Sequence, residues 1–220
     1  MSIDVFPQVV ALLPLASYFI LLGALRLGRY PLVTTATRDG AAVGIAASGL
    51  MMIGPAYLFF PSMAAAELGW YVWIVLGIFY MLCISMLLLA LKPKIVIYGL
   101  RVDDAEACLL RASQTIDPSA HLEANRQQVV LPQAGVTLRV DALGITDAVQ
   151  IEAFEKHLHP RFWRQLLLEV RREAAQVRKG LSIGGLGMLA VGISLMVLTV
   201  TQALSQSNEL LAGFRQWLQV

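Results

Sequence analysis

The chain has 220 residues, of which 57% are hydrophobic and 15% charged, and a formal net charge of +2. Its mean hydropathy of +0.67 excludes an ordinary soluble domain. The two cysteines, Cys83 and Cys108, fall in different predicted environments, which excludes a fold held together by disulfides.

Four stretches of the chain lack Asp, Glu, Lys, Arg and His: residues 5–25, 40–66, 68–91 and 180–208. A hydrocarbon core about 30 Å thick requires roughly 20 apolar residues in a helix, and each stretch is long enough. Because lipid offers the backbone no hydrogen-bond partner, each stretch is predicted to be a membrane-spanning helix. The four spans are placed at 7–25, 41–60, 70–91 and 181–204. The first is interpreted as a retained helix rather than a signal peptide, because its basic residues Arg26 and Arg29 follow the apolar run.

The basic residues predict the orientation of these spans. Of the 17 Lys and Arg residues, all but Arg215 lie in the two loops that a four-span arrangement places on one side of the membrane. The loop between the second and third spans contains Glu67 and no basic residue. The positive-inside rule therefore predicts both termini outside and residues 92–179 in the cytoplasm.

Residues 92–179 are predicted to form a small α+β domain with the order β-α-β-β-β-β-α. The strands are placed at 95–98, 121–124, 127–131, 136–141 and 148–154. One helix is predicted to start at a capping box made by Asp103 and Glu106, and the other near Pro160. Alternation of apolar and polar residues in 136–141 and 148–154 indicates a sheet that helices cover on one face only.

The fold class is thus a membrane α-helical protein with four transmembrane helices and a cytoplasmic domain inserted between the third and the fourth. Residues 1–91 contain the first three spans, 92–179 the domain and 180–204 the fourth span. Residues 205–220 are predicted to form a short amphipathic helix in the outer interface, with Trp217 at headgroup level.

Three segments of the predicted domain have a recognisable pattern: 94–98 (KIVIY), Leu131-Pro132 and 135–140 (GVTLRV). In these segments the chain resembles a family of uncharacterised multi-pass membrane proteins from planctomycete-type bacteria, over about the middle third of its length. The resemblance implies a bacterial inner-membrane location. Since that family has no assigned activity, it implies no substrate, cofactor or site residue.

No catalytic, cofactor-binding or metal-binding residue is predicted. The spans contain no ionisable group for proton or ion coupling and no histidine for haem. Cys108 lies on the apolar stripe of a predicted helix and is interpreted as a core residue rather than a nucleophile. One group of residues has metal-ligand chemistry, namely His121, Glu152, Glu155, His157 and His159. It is interpreted as a surface loop, because the two-residue His spacing falls at a strand-to-helix junction without a cysteine or an H-E-x-x-H pattern.

Small residues recur at close helical spacing in two of the spans. They are Gly40, Gly44 and Ser48 in the second span, and Gly180, Gly184 and Gly187 at the start of the fourth. Such residues let helices approach closely in lipid. They are predicted to be helix-packing positions, with a face for a partner subunit as the alternative.

A basic helix is predicted immediately before the fourth span. Its candidate contacts with anionic lipid are Arg171, Arg172, Arg178 and Lys179. The alternative is that its apolar stripe packs on the sheet while the arginines stay solvated and enforce the topology. Nucleic-acid binding is not expected, because the acidic residues of the domain nearly balance its basic ones.

The sequence therefore predicts a non-catalytic accessory, scaffolding or assembly subunit. It would act through helix–helix contacts and a small cytoplasmic interaction domain, with membrane lipids and other membrane subunits, or further copies of itself, as partners. The alternative is a small-solute channel, a transporter component or a lipid-handling protein. A membrane enzyme is the third hypothesis.

Overall fold

A computed structural model of the chain describes residues 5–54, 69, 71–123, 128–143, 148–155, 158–177 and 183–218. Its helices are α1 (Val5–Leu27), α2 (Ala36–Ile53), α3 (Tyr71–Ala90), α4 (Val102–Ile116), α5 (Pro160–Ala174), α6 (Ile183–Ser205) and α7 (Ser207–Leu218). Its strands are β1 (Leu32–Thr35), β2 (Ile95–Tyr98), β3 (His121–Glu123), β4 (Gln128–Leu131), β5 (Val136–Ala142) and β6 (Ala148–Ala153).

The chain divides into two compact units. The first contains Met1–Gly23, Gly40–Ala90 and Gly187–Val220, and the second contains Ala24–Asp39 and Leu91–Leu186. The second unit therefore takes in the connection between α1 and α2, which was predicted to be a loop outside the domain.

The first unit holds most of the helices predicted to lie in the membrane. Three helices are long and apolar enough to cross a bilayer: α1, α3 and the part of α6 from Gly184 to Ser205. The predicted second span corresponds to α2, which does not reach this threshold within its described residues. Its first turn contains Arg38 and Asp39, and residues 55–60 of the predicted span lie outside the described residues.

Glycines bring α1 close to its neighbours in this unit. A Cβ atom at Gly192 of α6 would lie 2.7 Å from the backbone nitrogen of Ile20, and one at Gly23 of α1 would lie 2.6 Å from that of Leu189. At these two positions the backbones approach so closely that only glycine fits. The tail helix α7 also packs on α1, where the rings of Phe6 and Phe214 meet edge to face with centroids 5.9 Å apart.

The second unit is built on a six-stranded sheet in the order β1-β2-β6-β5-β4-β3, antiparallel throughout. From β2 to α5 the elements follow the order β-α-β-β-β-β-α. The strand β1 adds an edge to the predicted sheet, with Val33 opposite Ile97 of β2.

The helices α4 and α5 cover one face of this sheet and enclose the core. Cys108 and Leu109 of α4, Leu166 and Val170 of α5 and Ile151 of β6 are fully buried there. Within the apolar stripe predicted for α5, Leu166, Val170 and Ala174 are buried. The remaining members of that stripe pack partly buried against the same core: Trp163, Leu167 and Val177.

The capping box predicted at Asp103 and Glu106 is wrong. The N-cap residue of α4 is Arg101, two residues before Asp103, and it makes no side-chain capping hydrogen bond. Asp103 instead lies inside the first turn, where a carboxylate still interacts favourably with the helix dipole. The prediction that α5 starts with Pro160 agrees with the structure.

Candidate functional site

The face of the sheet that α4 and α5 leave open carries polar side chains. Lys94, just before β2, forms an ion pair with Glu152 of β6. On β5 the Nε atom of Arg139 lies 2.8 Å from an Asp141 carboxylate oxygen, and Arg139 is the cross-strand partner of Glu152. These side chains are partly exposed, so each pair contributes at most about 1 kcal/mol.

The polar character of this face changes at β2, where two of its residues are buried. Val96 and Tyr98 point to the open side of the sheet, opposite in direction to the core residue Ile97, yet all four residues of β2 are buried. The Tyr98 hydroxyl donates a 2.7 Å hydrogen bond to a carboxylate oxygen of Asp39 in the first turn of α2. Tyr98 thereby joins the sheet to the connection between α1 and α2.

Arg26 lies over the ring of Tyr98. It occupies the last turn of α1, and its Cζ atom is 5.3 Å from the ring centroid. Only 4% of the residue is exposed. At Gly185 of α6 a Cβ atom would lie 2.9 Å from the Cβ atom of Arg26, so the missing side chain at Gly185 leaves room for the arginine.

Among the described residues, no ion pair balances the charge of Arg26. Its Nε atom is buried without a hydrogen-bond partner in the described part of the chain. The ion pairs between described residues do not include Arg26, and the nearby Asp39 carboxylate accepts from Tyr98. Removing an ion from water costs several kcal/mol. The contact with the Tyr98 ring contributes about 0.5–2 kcal/mol, and the carboxyl end of a helix contributes about 0.3–1 kcal/mol. Together these contributions are smaller than the cost of burying the charge.

We define Arg26, Asp39, Tyr98 and Gly185 as the Arg26 site. Sequence reasoning counted Arg26 only as a topology signal and Asp39 not at all. The one signal in the sequence is an arginine at the end of an apolar run. The burial of Arg26 could not be predicted, because it depends on the pairing of β1 with β2, which brings Tyr98 under the arginine.

The residues predicted to pack helices have different surroundings. Gly44 is buried, and a Cβ atom there would lie 3.2 Å from the side chain of Ile84 in α3. Gly40 is half-buried, and the Ser48 hydroxyl donates to the Ile45 carbonyl oxygen of its own helix. At the start of α6, Gly184 is exposed and a Cβ atom at Gly187 would meet open space, so the close contacts of this helix are those of Gly185 and Gly192. Gly180 lies outside the described residues.

The basic residues predicted to contact lipid are only partly described. The Nε atom of Arg171 donates a 3.2 Å hydrogen bond to the Val33 carbonyl oxygen, which ties α5 to β1. Arg172 is exposed, and Arg178 and Lys179 lie outside the described residues. Their contact with lipid stays a prediction.

Those of the candidate metal ligands that the structure describes have structural partners. The Nδ1 atom of His159 accepts the backbone N–H of Arg161 and caps α5, and the Glu155 carboxylate accepts the backbone N–H of Thr137. His157 lies outside the described residues, which contain no cluster of three or more His, Cys, Asp and Glu residues suited to a metal. Cys108 is buried in the core, and that burial raises the pKa of its thiol.

Three apolar helices long enough to span a bilayer, together with a small antiparallel sheet, define the class of this chain as a membrane protein with a folded α+β unit. No protein-family model, curated protein or solved structure matches the chain.

Proposed function

We propose that this chain is an accessory or scaffolding subunit of the bacterial inner membrane, which binds another membrane protein through its exposed helices and presents a small domain to the cytoplasm. The observation that carries the proposal is the exposure of α3. It is the most apolar of the three candidate spans, yet only 6% of its apolar stretch is buried within the chain.

A helix inside a self-contained bundle would bury one side against its neighbours. In α3, Val72 alone is buried, and a Cβ atom at Gly77 would meet open space. The contacts of α3 with α2 include Tyr80, whose hydroxyl donates to the Gly44 carbonyl oxygen, and Ile84. Most of the α3 surface is therefore free to contact lipid and a second membrane protein. A channel would instead need side chains that enclose a path.

The start of α6 offers a second surface of the same kind. Gly184 is exposed and Gly187 is open, although glycine is a poor helix former. Glycines that are exposed among the described residues support contact with a helix of another chain.

The pairing of β1 with β2 supports four spans. Two hydrogen-bonded strands must lie on the same side of the membrane, and α3 lies between them in sequence. If α3 crosses the bilayer, the chain must cross once more between Thr35 and Tyr71. With α1 before β1 and α6 after the sheet, both termini then lie on the side opposite to the domain.

Affinity purification of the full chain in a mild detergent tests the proposed function. A second membrane protein should co-elute in fixed stoichiometry through size-exclusion chromatography. Gly184→Leu should remove that protein and leave the melting temperature of the chain unchanged, because Gly184 is exposed. Val197→Leu is the matched control, since Val197 is exposed on the same helix and already carries a branched side chain.

Two results would contradict the proposal. One is a chain that elutes alone and transports a small solute in proteoliposomes, which would favour the channel alternative. The other is retention of the second protein by Gly184→Leu together with a lower melting temperature, which would place the glycine inside the bundle.

A further inference from the structure

We infer that the Arg26 site binds a phosphate group, supplied by the headgroup of an anionic phospholipid. The inference starts from a cation that is 4% exposed, has a buried Nε atom without a partner in the described part of the chain, and forms no ion pair there. Since no described residue balances this guanidinium, an anion from outside the chain would stabilise it in the folded state.

The chemistry of the side chain selects the anion. The planar fork of a guanidinium matches two oxygens of a phosphate or a carboxylate and holds them with charge-assisted hydrogen bonds. The Asp39 carboxylate accepts from the Tyr98 hydroxyl through one of its oxygens. Tyr98 thus holds Asp39 and stacks on Arg26 with its ring.

The position of Arg26 in the chain selects the source. It directly follows the uncharged run of residues 5–25, so a membrane-spanning α1 places it at headgroup depth. Arg178 and Lys179 precede α6 in sequence, and the Gly185 that follows them contacts Arg26. The sequence next to Arg26 and the sequence just before α6 thus carry positive charge, which attracts anionic lipid.

This inference is independent of the proposed partner subunit, because it concerns lipid binding by the purified chain. The full chain would be freed of lipid in a neutral detergent, and its thermal unfolding followed while phosphatidylglycerol is added. In a parallel experiment inorganic phosphate would be added at constant ionic strength. Saturating phosphatidylglycerol should raise the melting temperature of the wild type by about 3 °C or more, because a ligand that binds only the folded state stabilises it.

Two variants locate the effect. Arg26→Gln should lose most of the shift, whereas Arg29→Gln, which removes an exposed arginine three residues further along the chain, should keep it. Without lipid, Arg26→Gln should be at least as stable as the wild type, because it removes an unbalanced buried charge. With lipid it should be the less stable protein.

If Arg26→Gln does not fold, Arg26→Lys takes its place, with native mass spectrometry to count bound phosphatidylglycerol. Lysine keeps the charge and loses the fork, so lipid affinity should fall about tenfold. Equal shifts in the wild type and Arg26→Gln, equal lipid binding by the wild type and Arg26→Lys, or no shift with either ligand would overturn the inference. A shift produced by inorganic phosphate alone would keep the anion site and overturn its assignment to lipid.

Discussion

At the scale of single residues, Asp117 organises the edge of the core. It is 1% exposed at the end of α4, and one carboxylate oxygen accepts from both the backbone N–H and the hydroxyl of Ser119. The other accepts the backbone N–H groups of Gln133 and Ala134 in the turn between β4 and β5. One side chain therefore fixes two turns that are distant in sequence.

The pKa of Asp117 reflects this arrangement. Burial raises the pKa of the carboxyl, but the hydrogen bonds from Ser119, Gln133 and Ala134 outweigh burial and hold the pKa below its ordinary value. A carboxyl whose pKa is lower in the folded state stabilises the fold above its unfolded pKa of about 3.9. That contribution is lost as the pH falls through the lower folded value.

We expect Asp117→Asn to lower the melting temperature by roughly 5 °C at neutral pH, because an amide cannot accept all four hydrogen bonds. Below pH 4 the difference between variant and wild type should shrink as the wild-type carboxylate is protonated. Thermal unfolding in detergent between pH 3 and pH 7 measures both effects. Asp103→Asn, in an exposed ion pair, is the control and should change the melting temperature little. A constant difference across this pH range would contradict the role assigned to the charge.

The sequence predicted the core positions of the domain better than its polar contacts. Helical periodicity alone predicts an apolar stripe with Cys108 and Leu109 on α4 and another with Leu166 on α5, and these residues are buried. The role of Asp117 could not be predicted, since its partners Gln133 and Ala134 lie in a turn that reaches it only through the tertiary fold. The Arg26 site could not be predicted either, because the tertiary fold brings its residues together.

At the scale of elements, β1 shows the limit of local patterns. Its four residues, Leu32–Thr35, are too few to show alternation, and they lie between an arginine-rich loop and a helix. What makes them a strand is the open edge of β2, which pairs with all four. The Arg171 side chain donates a hydrogen bond to the Val33 carbonyl oxygen of β1. The glycine strip at 180, 184 and 187 stays a prediction, because helical spacing identifies a face of a helix and not its neighbour.

The approach of α6 to α1 gives a prediction at this scale. Gly192→Ala should destabilise the first unit by about 1–3 kcal/mol, because the new Cβ atom would lie 2.7 Å from the Ile20 nitrogen. Gly187→Ala is the matched control in the same helix, and a Cβ atom there meets open space. Since alanine favours a helix over glycine, that variant should be neutral or slightly more stable. Thermal unfolding of both variants in detergent makes the comparison, and equal effects would show that α1 and α6 do not touch at Gly192.

At the scale of the whole molecule, two independent features place the same segments together. The distribution of charge predicts that the loop after α1 and the residues after α3 share one side of the membrane. The pairing of β1 with β2 demands the same arrangement through hydrogen bonds, without reference to charge. The sequence could predict this relation because lysine and arginine counts need no knowledge of tertiary contacts. It could not predict that the two segments form one sheet.

This agreement leads to a prediction about where the segment between α2 and α3 lies. If the chain crosses the membrane twice between β1 and β2, residues near Glu67 face outside while the domain stays in the cytoplasm. A cysteine at Glu67 should then react with a membrane-impermeant maleimide in intact cells. A cysteine at Ala134, an exposed turn residue of the domain, should react only after the membrane is permeabilised. The wild type sets the background, because Cys108 is buried and Cys83 lies inside the apolar helix α3. Labelling of both positions only after permeabilisation would mean that α3 does not cross the bilayer, and labelling of Ala134→Cys in intact cells would reverse the orientation.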